Sequence, residues 1–190
     1  MHRLARHAFT ALTLALIAVP TTRLVAQAGA PAATNQPAAK PADVGSPDAI
    51  IAALYDVISG PAGQKRNWDR MRSLFIPGAR LIPTTASQQG KVVPRVLDVE
   101  GYIGRAGSNL EKNGFFEREI SRKTDSFGNI MHAFSTYESR RTKEDAKPFA
   151  RGINSIQLVN DGTRWWIVTV FWDSERPNNC LLYTSDAADE

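Results

Sequence analysis

An α+β fold, with helices gathered in the first half of the chain and an antiparallel sheet built mostly from the second, is what this 190-residue sequence predicts. Three observations lead there. The segment Asp161-Gly162-Thr163-Arg164-Trp165-Trp166-Ile167-Val168-Thr169-Val170-Phe171-Trp172-Asp173 opens on a turn dipeptide. It continues as an aromatic and β-branched run, apolar on both faces, which is the pattern of a central strand. Three stretches with helical apolar spacing precede it, and three further strand-like runs joined by short turns lie between the last helix and this strand. Short turns join antiparallel neighbours, and segregation of helices from strands separates α+β from alternating α/β architecture.

The first helix opens with Ser46 as N-cap, Pro47 in the first helical position and Asp48 in the first turn, where each complements exposed amides. Ile50, Ile51, Leu54, Val57 and Ile58 form its apolar stripe, and Gly60-Pro61 ends it. Asn67 caps a short second helix on which Trp68, Met71, Leu74 and Phe75 recur at helical spacing, before Pro77-Gly78 stops it. Strands are expected at 79–84 and 91–97. Asp98 then caps a third helix carrying Val99, Tyr102, Ile103, Ala106 and Leu110, ended by Asn113-Gly114. Gly101, Gly104 and Gly107 form a stripe on it that predicts close backbone approach to the sheet. Strands follow at 115–123, 130–140, 149–159 and 164–173.

The two ends of the chain are expected to lie outside this domain. Residues 1–28 carry Arg3 and Arg6, an apolar stretch from Ala8 to Val19, and the small-x-small site Ala26-Gln27-Ala28, which together predict a cleaved secretory signal. That stretch is shorter than the roughly 20 residues a bilayer-spanning helix needs, so no stable membrane insertion and a periplasmic or secreted location are expected. Residues 29–45, rich in Ala and Pro with almost nothing bulky, bury too little apolar area to offset their ordering entropy and predict a disordered linker. Residues 180–190, Cys-Leu-Leu-Tyr-Thr-Ser-Asp-Ala-Ala-Asp-Glu, resemble the in-frame translation of a sequencing adapter and predict an artefactual tail. The domain is thus expected at 46–179, the common size for a single core.

Those boundaries restrict the chemistry. Without Cys180 the domain has no thiol, hence no disulfide, thiolate nucleophile or cysteine metal ligand. His2 and His7 belong to the signal, which leaves His132 and excludes a multi-histidine zinc site; neither metal nor cofactor is expected. Residues 43–179 hold 19 Lys and Arg against 16 Asp and Glu, a net charge of +3, too mild to argue for nucleic acid.

The element order, the Trp68-containing helix running into Leu74-Phe75 and Ala79-Arg80-Leu81, and the closing Asp161-Gly162-x-Arg164-Trp165-Trp166-Ile167 resemble the nuclear transport factor 2-like superfamily, in particular its SnoaL-like bacterial branch. The resemblance covers residues 46–179. It implies a cone: a curved antiparallel sheet wrapped around about three helices, with a pocket at its open end. Catalytic members of that superfamily hold an Asp or His in the apolar cone opposite a Tyr, Trp or Asn. No carboxylate here sits at a position matching the family's isomerase pattern.

His132 is therefore the candidate general base. Phe134 and Thr136 share its face, while Met131, Ala133, Ser135 and Tyr137 take the other, and the alternation leaves open which face enters the cone. Tyr55, Trp68, Tyr102, Tyr137, Arg151 and Asn154 are the candidate ligand-binding residues. Two functional readings follow: a cone that binds a small apolar molecule, and a cofactor-independent lyase, isomerase or hydrolase that uses His132. The second apolar face of the last strand, read as Trp166, Val168, Val170 and Trp172, predicts a homodimer through the outer sheet surface, as the resemblance also implies.

Overall fold

Local capping rules act where the sequence places them. The computed structural model describes residues 36–86 and 91–181. Ser46 caps α2 (Pro47–Ile58) by accepting from the Ala49 amide at 3.1 Å, and Asn67 caps α3 (Trp68–Leu74) by accepting from Arg70 at 2.9 Å. Asp98 caps α4 (Val99–Asn113) through Gly101 at 2.7 Å. The stripe of α2 is fully used, since Ile50, Ile51, Leu54, Val57 and Ile58 are all buried, joined by Ala53 and Tyr55. Arg66 is buried between helix ends, where its guanidinium donates to the carbonyls of Ile58, Gly60 and Leu110 at 2.6 to 3.0 Å. Satisfying a buried cation with carbonyl oxygens offsets its desolvation and ties α2 to α4.

Six strands follow the predicted order: β1 (Phe75–Ala86), β2 (Val92–Pro94), β3 (Phe116–Phe127), β4 (Ile130–Arg140), β5 (Ala150–Asn160) and β6 (Trp165–Ser174). Their order across the sheet is β2-β1-β6-β5-β4-β3. Helix α2 packs against β3 and β6, while α3 and α4 pack against β1. Hence the helices close one face of the curved sheet. The expected α+β class is the observed one, with a difference in detail: β1 and β6 pair in parallel, because the chain crosses from one to the other through α4 and the β3–β5 meander. Pro77-Gly78 does not separate helix from strand. Strand β1 begins at once at Phe75, and the Pro-Gly pair lies inside its irregular stretch, where pairing with β6 shifts between Phe75 and Arg80.

Residues 36–45 correct the predicted linker boundary. They carry a single helical turn, α1 (Pro41–Val44), whose Val44 and Asp43 are buried. Asp43 takes a two-pronged ion pair from Arg70 at 2.7 and 2.9 Å, and the Gln36 amide donates to the Arg72 carbonyl at 2.9 Å. A few anchoring groups thus hold a stretch that composition alone assigns to a tether. The predicted signal at 1–28, residues 29–35 of the linker and residues 182–190 of the tail lie outside the described residues.

The glycine stripe of α4 serves a helix rather than the sheet. A Cβ on Gly107 would come within 3.1 Å of the Trp68 ring, so Gly107 lets α4 settle on α3, whereas a Cβ on Gly104 would meet open space.

Two β-bulges decide which side chains enter the cone. Pairing of β5 with β6 slips between Gln157 and Leu158, leaving Val168 as the extra residue, and pairing of β3 with β4 slips between Glu119 and Ser121 at Ile120. An extra residue reverses the alternation beyond it. On β6 the inner face accordingly runs Trp165, Ile167, Val170, Trp172, and the outer face Trp166, Thr169, Phe171. This corrects the expected outer stripe, because Val170 and Trp172 turn inward and Phe171 turns out.

Candidate functional site

Inside the cone, the inner faces of the central strands become polar toward one end. Ser135, Tyr137 and Ser139 of β4 and Asn154 of β5 are all buried there. Tyr137 and Asn154 line a cavity of about 230 Å³, roofed by Leu54, Tyr55 and Ile58 of α2 and Tyr102, Ala106 and Leu110 of α4, with Glu117 of β3 and Trp172 of β6 in its wall. A more open groove of about 680 Å³ between α2 and β3 shares Tyr55 and Glu117 with it, so these two side chains stand between groove and cavity.

Glu117 is the centre of the site. Its carboxyl accepts from the Ser139 hydroxyl at 2.8 Å and from the Asn154 amide at 3.3 Å. No Lys, Arg or His lines the cavity with it. Burial without a counter-charge favours the protonated acid, and pushes the Glu117 pKa up to about 7 against the opposing pull of Ser139 and Asn154. Its neighbours share the desolvation. Burial raises Tyr137 to about 12 and drives Tyr55 and Tyr102 beyond the ordinary phenol range, with the charge of Glu117 adding to each shift.

The hydrogen-bond directions distinguish the tyrosines. Glu119, held by two bonds from Arg122, accepts from the Ser135 hydroxyl at 2.5 Å, so Ser135 has only lone pairs left for Tyr55. Tyr55 therefore donates to Ser135 at 2.7 Å and accepts from Asn154 at 3.0 Å, with its proton directed away from the cavity. The Tyr137 hydroxyl lies 3.0 Å from Ser174. The Tyr102 hydroxyl makes no hydrogen bond among the described residues, and its ring meets Trp172 edge to face at 6.1 Å. Tyr102 is the phenol left with its hydrogen-bonding capacity unspent.

Of the sequence candidates, Tyr55, Tyr102, Tyr137 and Asn154 come together on the cavity, and three do not. His132 shares the outer face with Phe134 and bonds Ser155 at 2.9 Å, which settles the face that alternation left open and corrects its candidacy as a general base within the cone. The physical reason is that the alternate residues Ala133, Ser135 and Tyr137 fill the inner face. Trp68 packs on Gly107 and donates to Glu111 at 3.0 Å, and Arg151 pairs with Glu175 at 2.9 Å outside the cone. Glu117 is the residue that sequence reasoning misses. Phe116 and Ile120 flank it at alternate positions and suggest an outward glutamate, yet Ile120 is the bulge and is 43% exposed. The available signal was the set of small polar residues on neighbouring strands, Ser135, Ser139 and Asn154, which have no reason to be inward unless they serve a polar group.

No protein-family model matches the sequence, and no curated protein does. Solved structures do. A protein of unknown function with a cystatin-like fold from Nostoc punctiforme PCC 73102 superposes with a TM-score of 0.51 over 67% of this chain and 87% of its own, at 9% identity. That likeness shows the fold, and with the element order it defines the class: an α+β cone of the cystatin-like kind. A protein from Kribbella flavida follows at a TM-score of 0.49, 10% identity and coverage of 67% and 86%. An NTF2-like protein of unknown function from Methylobacillus flagellatus KT follows at 0.45, 15% identity and coverage of 69% and 95%.

Proposed function

We propose that this protein is an exported binding cone that takes up a small, largely apolar molecule in the cavity beside Glu117. The supporting observation is the cavity itself, which combines apolar walls from five elements with one uncompensated carboxyl and an unspent phenol at Tyr102, the combination by which sites fix orientation. Export rests on the signal-like residues 1–28. No helix among the described residues is long and apolar enough to cross a membrane. Native mass spectrometry of the protein expressed with its leader tests the reading. A retained small mass is expected, and it should vanish in Ala106→Phe, which fills the cavity. A folded wild type without any retained mass, and with Trp fluorescence indifferent to apolar probes, contradicts it.

A second reading has its own observation. A carboxyl whose pKa lies near neutrality is poised to take and return a proton, so Glu117 rather than His132 is the general base of any cofactor-independent lyase, isomerase or hydrolase activity. Deuterium exchange at the α-carbon of a small ketone, present in the wild type and lost in Glu117→Gln, is the result that this reading expects. Equal exchange in both removes it.

A further inference from the structure

We propose that the molecule received by the cone is a small alkylated ammonium ion, its positive charge set against Glu117 and the aromatic wall. The inference rests on the reading of the cavity as a binding site and specifies its ligand class. Five of the side chains around the cavity are aromatic, namely Tyr55, Tyr102, Phe115, Tyr137 and Trp172, and Glu117 is the only charged group among them. Aromatic rings attract cations through their negative faces, and the attraction grows as water is excluded. The guanidinium of Arg122, on the same strand, is already committed to Glu119 and Asp48. The carboxyl of Glu117 has neutral partners, Ser139 and Asn154, where an ion pair would ordinarily be found.

The three plausible ligand charges then differ in consequence. An anion would face a carboxyl and ring faces. A neutral molecule would leave Glu117 without a counter-ion. A cation supplies the missing charge, and alkyl groups on its nitrogen match the apolar wall while keeping its hydration weak, whereas a bare metal ion or ammonium would give up tightly held water for few oxygens. The ion pair forms in a low dielectric, where a matched charge is worth most and an unmatched one costs most.

Binding is therefore coupled to a proton. Below its raised pKa of about 7, Glu117 must release its proton to accept the cation, so affinity rises with pH through that value and levels off above it. The titratable groups facing Glu117 within the cone are Tyr55 of α2, Tyr102 of α4 and Tyr137 of β4, all raised and neutral in this range. On the groove side stand Asp56, Glu119 and Asp145, with Arg118, Arg122, Arg140 and Lys143. No histidine is among them.

The test uses two isosteres on the full-length exported protein: choline, and the neutral alcohol in which a quaternary carbon replaces its nitrogen. Calorimetry at about pH 8 should show choline binding at least about tenfold more tightly than the alcohol, with the preference shrinking by about pH 5.5 and proton release accompanying choline alone. Glu117→Gln should bind both probes alike. If the alcohol binds as tightly as choline in the wild type, the cation class is overturned and the binding reading stands. If neither binds, both fall. The wild-type comparison needs no variant, so it decides the question even where Glu117→Gln folds poorly, and a full choline preference retained in a folded Glu117→Gln overturns the role given to Glu117.

Discussion

Glu117 spends free energy that Gln would not. Its folded pKa of about 7 lies above the ordinary carboxyl value, so the native state holds the proton more tightly than the unfolded chain does. The contribution is fully present below the unfolded pKa and is lost as pH rises through about 7. A shift of this size corresponds to at most about 3 to 4 kcal/mol of stability lost between mildly acidic and alkaline solution. Glu117→Gln should flatten that dependence, and denaturant melts across the range should show the variant overtaking the wild type above about pH 8. Parallel curves for the two proteins would mean that Glu117 ionises freely. Below about pH 4 a different set of carboxyls acts in the opposite sense, since the hydrogen-bonded ion pairs with Arg70 and with Arg140 and Arg118 hold Asp43 and Glu138 below their ordinary values.

At the scale of the element, the decisive features are the extra residues Val168 and Ile120. They invert everything beyond them, so Trp172 lines the cavity and Phe171 is 43% exposed. Trp172→Ala should cost about 3 kcal/mol and Phe171→Ala less than about 1 kcal/mol in matched melts. The reverse order would restore strict alternation. Gly152 makes a related point, because a Cβ there would sit 2.2 Å from the Asp173 carbonyl oxygen and 2.6 Å from the Tyr137 hydroxyl. Gly152→Ala should destabilise by about 3 kcal/mol, at the upper end for overpacking, and a neutral outcome would contradict the packing of Tyr137 over β5. These features also show where the sequence stops informing. Caps and stripes are local, so Ser46, Asn67, Asp98 and the buried face of α2 were legible, as was the run of β6. A bulge depends on the pairing of two strands, and neither Val168 nor Ile120 carries a glycine or proline to mark it. Strand alternation therefore misplaced Trp172, although it placed His132 correctly beside Phe134 and Thr136.

For the whole molecule, an apolar patch remains on the outer sheet face after the correction, with Phe134 and Phe171 47% and 43% exposed beside Ile153. We propose that a second copy covers it, since a two-fold contact sets the same patch against itself. Light scattering should give a dimer for the wild type and a monomer for Phe171→Asp, whereas Trp172→Asp would act on the core instead. A monomeric wild type ends the dimer proposal without touching the cone. The claim on which the account chiefly depends is that the cone encloses a carboxyl ionising near neutrality, and a carbon NMR titration of the Glu117 carboxyl, assigned by its loss in Glu117→Gln, measures it directly. The account predicts a midpoint near 7. A midpoint near the roughly 4.3 of an ordinary glutamate would contradict it.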